Sequence, residues 1–319
     1  MTTKQVMPDD PQIVGSPWPH RLGVATAGAT FLLILVGGIV TNTESGLAVP
    51  DWPTTFGYNM FAYPLSKMVG GILYEHSHRL IGSLVGALTL TLAAVLWGLD
   101  RRPWVRWLGV ASLGAVIVQG ILGGLRVVLV AEEFAIVHGA FAQAFFALVA
   151  TIALVTSPGW RAPIEVNATE QMGRLRRLAL ITTVGLYVQV MLGTLVTHLG
   201  VWADAHIGFA VLVSVAVVLL GFRILPGRAA WPELVLPMGI LRGLWILQLV
   251  LGPGSYLAKF HATLVPMGPV LELAFPLAHR LTGALMLVTS LILTLGAYRR
   301  SGWIDVVPGR ERSSERMPA

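Results

Sequence analysis

The sequence predicts an all-α integral membrane protein with eight transmembrane helices, arranged as two four-helix bundles related by pseudo-symmetry. Two properties of the composition point to the membrane: 55% of the 319 residues are hydrophobic and only 12% are charged. Soluble domains carry about twice that charged fraction. A third observation gives the number of helices, because eight apolar runs of about 20 residues recur along the chain and each is long enough to span the hydrocarbon core.

The first half of the chain, residues 22–156, contains four of the predicted helices. A polar tail, 1–21, precedes the first apolar run, and a long loop, roughly 43–74, separates the first run from the second. The third and fourth runs follow after short connections. The predicted helices of this half lie near residues 22–42, 79–99, 104–127 and 134–156.

The second half, residues 175–298, contains the other four helices. A linker, 157–174, with two prolines and several charged residues, separates the halves, and a second long loop, roughly 257–275, precedes the last helix. A polar tail, 299–319, follows that helix. The predicted helices of this half lie near residues 175–197, 203–223, 235–256 and 276–298.

The distribution of basic residues predicts that both termini are cytoplasmic. With that orientation only five of the 22 lysines and arginines lie outside, and the remaining 17 lie in the cytoplasm. This asymmetry follows the positive-inside rule. It also accounts for the net charge of +6 without a nucleic-acid partner. The five outer residues are Lys67, Arg79, Arg126, Lys259 and Arg280.

The N-terminal tail favours the plasma membrane of a prokaryote as the location. It carries Asp9 and Asp10, and it resembles neither a secretory signal nor an arginine-rich, acid-poor mitochondrial transit peptide. The chain contains no cysteine, which excludes disulfides, iron–sulfur clusters and cysteine nucleophiles. Any metal site must therefore use histidine, methionine or carboxylate ligands.

Short phrases recur in different helices and indicate an internal duplication. One phrase relates the third, fifth and seventh helices, and phrases around a histidine relate the second helix to the eighth and the fourth to the sixth. This crossed order is not a simple tandem repeat, but each half receives one helix of each kind. The recurring pairs are Gln119 with Gly123, Gln189 with Gly193 and Gln248 with Gly252, then His78 with Gly82, His279 with Gly283, His138 with Phe141 and His206 with Phe209.

Four histidines lie at or just inside the starts of the even-numbered helices, which all run from outside to inside. Their imidazoles are therefore expected at similar depth near the outer surface, two in each half. Each is followed at i+4, on the same helix face, by glycine or alanine, which lets a flat macrocycle approach the backbone. Two separated pairs fit bis-histidine haem better than zinc or copper, which need three or four converging ligands. The histidines and their small neighbours are His78 and Gly82, His138 and Ala142, His206 and Ala210, and His279 and Gly283.

Charged residues beside these histidines suggest further roles. Arg79 and Arg280 each follow a candidate ligand, where a guanidinium can pair with a haem propionate or, alternatively, with lipid headgroups. Glu75 precedes His78 by three residues and shares its face if the second helix begins early enough. It is either a functional acidic group or a helix cap. Pro276 holds the corresponding position before His279, so the two halves are chemically unequal.

Together these residues resemble the haem A synthases of the cytochrome oxidase assembly pathway. The matching features are the first-loop phrase that runs from Gly37 through 43–46 (Thr-Glu-Ser-Gly) to 50–53 (Pro-Asp-Trp-Pro), the motif Glu75-x-x-His78-Arg79 and the histidines of the later helices. The resemblance covers nearly the whole chain. One departure is that many members carry a cysteine pair in the first outer loop, whereas this loop has none, so a redox or disulfide role of the loop is absent here.

The resemblance implies that the protein converts haem O to haem A by oxidising one porphyrin methyl group to a formyl. On the family pattern, the first half holds the substrate haem between two histidines with a catalytic acidic residue, and the second half holds the iron of a haem b. Implied partners are the haem O synthase, cytochrome oxidase assembly factors, an unidentified electron donor and membrane lipid. The implied site residues are Glu75 (catalytic), His78, His138 and Arg79 (substrate haem), and His206, His279 and Arg280 (haem b).

Two other interpretations explain part of the same pattern. A two-haem, quinol-oxidising cytochrome b that only transfers electrons would also have two bis-histidine sites, but it would not need Glu75 and would not form a formyl group. A secondary transporter would have broken helices with polar residues at the bilayer midplane, whereas the polar clusters here lie near one face.

Overall fold

The computed structural model of the chain describes residues 16–304, and eight long helices form most of it. All eight are long and apolar enough to cross a membrane, and the shortest has 22 residues, about 33 Å at 1.5 Å per residue. The predicted all-α membrane fold with eight helices is confirmed. The helices are α1 Trp18–Asn42, α2 Gly71–Leu99, α3 Pro103–Leu129, α4 Glu132–Thr156, α5 Glu170–Leu199, α6 Ala203–Ile224, α7 Pro232–Phe260 and α8 Pro269–Arg300.

The connections between the helices contain little regular structure. Two 3₁₀ turns, Met60–Ala62 and Leu65–Lys67, lie in the loop between α1 and α2, and a one-turn helix, Pro158–Arg161, follows α4. Most of the predicted tails, 1–21 and 299–319, including Asp9 and Asp10, lies outside the described residues. The cytoplasmic location of the termini therefore stays a prediction.

The helices pack in two groups of four. In the first group α1 contacts α2 and α4, and α3 contacts the same two helices; in the second group α5 and α7 each contact α6 and α8. The groups meet where α4 contacts α5 and α8 and where α1 contacts α8. This grouping agrees with the predicted halves, while the pseudo-symmetry between them stays a prediction.

Apolar side chains fill each group and the boundary between them. Leu92, Leu96 and Ile152 are completely buried in the first group, as are Leu220 and Leu241 in the second. A third cluster joins the groups, because it combines residues of α1, α2 and α4 with residues of α8. Its buried members are Ile34, Val85, Phe145, Phe146, Val149 and Ala284.

Three helices begin five or more residues earlier than the apolar runs indicated. α2 begins at Gly71 instead of 79, α5 at Glu170 instead of 175, and α8 at Pro269 instead of 276. In α2 and α5 the added turns carry charged side chains, which lower the local hydropathy but find partners in the fold. In α8 the helix continues through Pro276, which sequence alone favours as a first-turn residue because proline lacks the amide donor.

A buried ion-pair cluster holds the turn between α2 and α3. Asp100 accepts hydrogen bonds from Arg102, whose Nη2 lies 2.7 Å from Oδ2, and Arg161 lies 3.4 Å from the same oxygen. Arg102 also donates to the carbonyl of Val155 at 2.9 Å. Burial raises the pKa of Asp100, but the hydrogen bonds and charges of the two arginines outweigh it and lower that pKa. The cluster therefore fixes this turn against the end of α4.

Candidate functional site

The four predicted histidines form two pairs at one end of the helix bundle, where the even-numbered helices begin; we call it the histidine end. The ring centroids of His78 and His138 lie 6.4 Å apart, and those of His206 and His279 lie 6.1 Å apart. The ring planes within each pair make an angle of 71°. The members of each pair come from facing helices of one group, α2 with α4 and α6 with α8.

The spacing of each pair fits one iron held between two imidazoles. A bond of about 2.0 Å from metal to ring nitrogen, with the ring centre about 1.1 Å further on, places two opposed imidazole centroids about 6.2 Å apart. Both observed spacings lie within 0.2 Å or so of that value. Within residues 16–304 no group of three histidines or acids comes together to enclose an ion. The residues present therefore fit a planar iron macrocycle at each pair.

A glycine on the preceding helix lies against each imidazole. A Cβ added to Gly37 would lie 2.9 Å from Cε1 of His78, and the approach is similarly close at the other three rings. The glycines therefore let each ring approach the backbone of the neighbouring helix. The other pairs are Gly123 with His138 at 3.1 Å, Gly193 with His206 at 3.3 Å and Gly252 with His279 at 3.6 Å.

Three of the four histidines are also held by a glutamine, four residues before that glycine. In each case the glutamine Nε2 donates to the backbone carbonyl of the histidine on the next helix. The corresponding position in α1 is Leu33, which has no donor, so His78 lacks this restraint. The three hydrogen bonds are Gln119 to His138 at 2.9 Å, Gln189 to His206 at 2.9 Å and Gln248 to His279 at 3.2 Å.

These glycines and glutamines were not predicted as site residues. The sequence showed them as a recurring phrase in alternate helices, which indicated only that the helices are related. Their contacts depend on which helices are neighbours. The small residues predicted to lie beneath the imidazoles contact other groups: Gly82 faces Leu33 at 4.0 Å, and Gly283 faces the side-chain amide of Gln248 at 3.6 Å.

Glu75 lies in α2 one turn before His78 and is almost completely buried, with 3% of its surface exposed. Its Oε1 accepts a hydrogen bond from Arg79 at 2.8 Å, and its Oε2 accepts one from the amide of Val49 at 2.8 Å. Because α2 begins at Gly71, Glu75 is the fifth residue of the helix and does not cap it. Its carboxylate instead joins α2 to the loop between α1 and α2.

Arg79 fastens the same loop and uses most of its donors to do so. Nη1 and Nη2 each make two hydrogen bonds, which leaves only Nε–H of the five guanidinium donors. In this conformation both Nη groups of Arg79 bind protein acceptors, so the contacts indicate that Arg79 holds the loop. The four acceptors are the carbonyls of Asp51 at 2.7 Å, Thr54 at 3.0 Å and Val49 at 3.0 Å, and Oε1 of Glu75 at 2.8 Å.

The loop segment 49–58 packs over the histidine end of the first helix group. Asp51 accepts hydrogen bonds from the amides of Phe56 at 2.7 Å and Gly57 at 2.8 Å. Burial raises the pKa of Asp51, but these bonds and one from Thr54 outweigh it and lower that pKa. The ring of Trp52 lies against the backbone of α3 at a glycine. The two sequence motifs of the first half are therefore in contact with each other.

Two further contacts complete this part of the site. His76, on the other side of α2 from His78, is 1% exposed, and its Nδ1 lies 3.1 Å from the hydroxyl of Thr55 in the loop. Arg280, next to His279 in α8, reaches across the boundary between the groups to α1. A Cβ added to Gly38 would lie 3.5 Å from its Nη1.

Comparison with known proteins identifies similar chains over part of the length. The family model COX15-CtaA, described as cytochrome oxidase assembly protein, matches residues 20–206. A protein named heme A synthase from Shouchella clausii is 36% identical over 132 residues, which is 40% of this chain and 42% of the relative. The family match includes three of the four histidines and ends before His279.

Other relatives with the same name match longer segments at lower identity. The protein from Geobacillus kaustophilus is 26% identical over 183 residues, 54% of each chain. The protein from Beijerinckia indica is 27% identical over 203 residues, 53% of this chain and 55% of the relative. The matched segments thus span about half the length, or less, of these curated relatives.

Proposed function

Because the chain belongs to the COX15-CtaA family of cytochrome oxidase assembly proteins, we propose that it is a haem A synthase, which oxidises one porphyrin methyl group of haem O to a formyl group. The observation that carries this proposal is the pair of histidine sites, each spaced for one iron between two imidazoles. The relatives named heme A synthase support it.

The two sites are assigned different haems. His78 and His138 hold the substrate haem O, and His206 and His279 hold a haem b that transfers electrons. The restraints on the histidines support this division. Both histidines of the second pair are held by a glutamine, whereas in the first pair only His138 is, and only the first pair has an acidic residue one turn away.

The reaction removes four electrons from one methyl carbon. Two hydroxylations in succession, each consuming one O2, two electrons from the donor and two protons and releasing one water, convert the methyl group to an alcohol and then to a geminal diol, which loses water to give the aldehyde. Haem b, when bound, supplies electron transfer, while the protein positions the substrate and moves protons. Glu75 is the catalytic acidic residue. To exchange a proton it must release one of its two contacts, with Arg79 or with the amide of Val49.

The surroundings of the two sites complete the proposal. Arg79 is assigned to the substrate-haem site, where its contacts hold the loop over His78, and Arg280 is assigned to the haem b site. The protein works in the plasma membrane of a prokaryote with both termini in the cytoplasm. A haem O synthase supplies the substrate, assembly factors of cytochrome oxidase receive the product, and a separate electron donor completes the cycle.

Extraction of the non-covalent haems tests the proposal directly. The chain is expressed in a host that makes haem O but no haem A, and the haems are identified by mass and by pyridine haemochrome spectra. Haem A is expected with the unchanged chain. Haem b alone, with haem O untouched, would favour the electron-transfer cytochrome instead.

Glu75→Gln tests the catalytic assignment in the same host. The variant should still bind haem, because the amide keeps the size of the carboxylate, but haem A should fall by about 10²-fold or more. A normal yield of haem A from this variant would remove Glu75 from the mechanism.

A further inference from the structure

Three cationic side chains and a histidine come together at the histidine end, and we call them the basic cluster. They come from both helix groups: α3, the end of α5, the end of α7, and α8. The charges of Arg126 and Arg280 both act on His198, and the charge of Arg280 acts on Lys259. The cluster therefore spans the boundary between the groups. Its members are Arg126, His198, Lys259 and Arg280.

Acidic residues balance only part of this charge. Glu132 lies 3.4 Å from Nδ1 of His198, and the charge of Glu44 acts on Lys259. Lys259 also donates to the carbonyl of Thr197 at 2.9 Å. Two carboxylates thus face two arginines, one lysine and a histidine, so the cluster carries an excess of positive charge.

Arg126 uses only one of its five guanidinium N–H donors within the described residues. Its single hydrogen bond to the described protein runs from Nη1 to the carbonyl of Gly46 at the long distance of 3.3 Å. Its charge nevertheless acts on both His78 and His138. Arg79, the other arginine near this pair, has both of its Nη groups occupied by the loop. Arg126 is therefore the guanidinium that can accept a ligand of the first pair.

Arg280 has the same character at the second pair. Its guanidinium lies against Gly38 of α1, and its charge acts on His279. Within residues 16–304 it makes neither a hydrogen bond nor an ion pair with the protein. A guanidinium held among membrane helices without an anion is unfavourable, and such residues normally pair with an opposite charge. Arg280 is thus placed to bind an anionic group.

We propose that Arg126 and Arg280, with His198 between them, form a carboxylate-binding site that takes a propionate from each of the two haems. Arg126 binds a propionate of the haem at His78 and His138, and Arg280 binds one of the haem at His206 and His279. The carboxylate edges of both macrocycles then meet at the boundary between the helix groups. This inference rests on the proposed presence of two haems and adds Arg126 and His198 to the residues that position them.

The proposal predicts an electrostatic effect on the haems. A cation beside a propionate disfavours the ferric form, which carries one more positive charge than the ferrous form. Removing the cation should therefore lower the midpoint potential of that haem. An anionic lipid headgroup or a free carboxylate at the same arginines would leave the potentials nearly unchanged, because that anion would leave together with the guanidinium and the net charge near the haem would stay the same.

The test is a spectroelectrochemical titration of the full chain, purified with its haems, together with the ratio of haem to protein. Arg126→Gln should shift one haem toward the ferric form by about tenfold, which is 59 mV for a one-electron couple, and Arg280→Gln should shift the other haem in the same direction. Arg126→Lys should keep most of the potential, because it retains the charge. The matched control is Arg223→Gln, which removes an exposed arginine of α6 from the opposite end of the bundle and should shift neither haem.

The outcomes separate this proposal from the proposed function. If Arg126→Gln and Arg280→Gln retain both haems at unchanged potentials, the carboxylate site is wrong whatever reaction the protein catalyses. If the potentials shift as expected but no haem A is formed by the unchanged chain, the carboxylate site stands and the synthase function is wrong. If Arg126→Gln loses the haem of the first pair, the Arg126→Lys variant distinguishes the two explanations. A lysine variant that binds this haem at the normal potential supports the site. Loss of the haem in both the glutamine and the lysine variants overturns it.

Discussion

At the scale of single residues, each candidate ligand position consists of a glycine as well as a histidine, because a glycine of the preceding helix lies against each imidazole. Three of these glycines, Gly37, Gly123 and Gly193, let the ring approach a neighbouring helix more closely than ordinary side-chain contact, while a Cβ at Gly252 would meet His279 at a normal contact distance. An imidazole held in this way has little freedom to rotate, so its iron-binding nitrogen is already oriented before a haem binds. Ligand sites that are organised in advance in this way lose less entropy on binding.

Gly37→Ala tests this packing. The added methyl would lie 2.9 Å from Cε1 of His78, so the ring must move, at a cost of about 1–3 kcal/mol. We expect the variant to lose the haem of the first pair and keep that of the second. The Soret absorbance per protein measures the loss.

Gly86→Ala is the matched control for that change. Gly86 lies in α2 and a Cβ there meets nothing within 4 Å, so alanine should leave both haems bound and stabilise the helix by roughly 1 kcal/mol. Equal haem content in the two variants would show that the glycine contact does not matter for binding.

Individual residues were predicted unevenly from the sequence. The histidine pairs could be predicted, because four similar positions on helices of the same direction must lie at one end of the bundle. The contacts of Arg79 could not, because its acceptors lie 25 to 30 residues away along an irregular loop. No periodicity specifies the path of such a loop.

At the scale of elements, the glutamines connect three of the four odd-numbered helices to the next even-numbered one. Gln189 of α5 binds the carbonyl of His206 in α6, and Gln248 of α7 binds that of His279 in α8. The hydrogen bonds act across helix pairs that are consecutive in the chain. They fix the rotation and the height of one helix relative to the next.

Gln189→Met should therefore weaken the attachment of α6 to α5 without creating a cavity in the core. Methionine keeps the length of the side chain but cannot donate, so we expect a loss of about 1 kcal/mol of stability and weaker retention of the haem at the second pair. Thermal unfolding in detergent, followed by absorbance, provides both values. Met191→Leu is the control, because Met191 is exposed on α5, the helix that carries Gln189. It should change neither the unfolding temperature nor the haem retention.

The loop between α1 and α2 should depend on pH through Asp51. Folding lowers the pKa of this carboxyl below its ordinary value of 3.8, so its stabilising effect is complete above pH 3.8 and is lost as the pH falls through the lower value of the folded state. Hydrogen exchange at the amides of Phe56 and Gly57, corrected for intrinsic rates, should show protection that disappears only below that pH.

Asp51→Asn provides the comparison for the loop. It should lower the protection of the same two amides already at pH 6 and show no further change on acidification. Protection that is lost at higher pH in the unchanged chain, or that persists in the variant, would mean that other contacts hold the loop.

The starts of the helices show why elements are predicted less well than their number. The apolar runs gave all eight helices, because spanning a bilayer requires a long uninterrupted stretch. They missed the first turns of α2, where Glu75, His76 and Arg79 are polar but have partners in the loop. A hydropathy scale scores such residues as if they were exposed to water, so it places the start of the helix too late.

At the scale of the whole molecule, the two helix groups are joined by packing as well as by the linker. Phe145 and Phe146 of α4 and Ile34 of α1 lie in one buried cluster with Ala284 of α8. The side chain of Arg280 in α8 also lies against Gly38 of α1 at the histidine end. The groups are therefore expected to associate even without a covalent connection.

Co-expression of two fragments, 1–164 and 165–319, tests this expectation. The cut lies in a segment without helix, so both groups remain intact. The fragments should co-purify in detergent and retain both haems. Phe146→Asp in the first fragment should prevent co-purification, since it places a charge in the shared cluster. Independent elution of the unchanged fragments would show that the linker alone keeps the groups together.

Gly37 and Gly38 are consecutive residues of α1, yet they serve different sites: one lies under His78 and the other under the guanidinium of Arg280. A rigid helix cannot slide at one of them and stay still at the other. Any displacement of α1 along its axis is thus transmitted in equal measure to both sites. A substitution that moves this helix along its axis would therefore have to suit both sites at once, because the two contacts lie on adjacent residues.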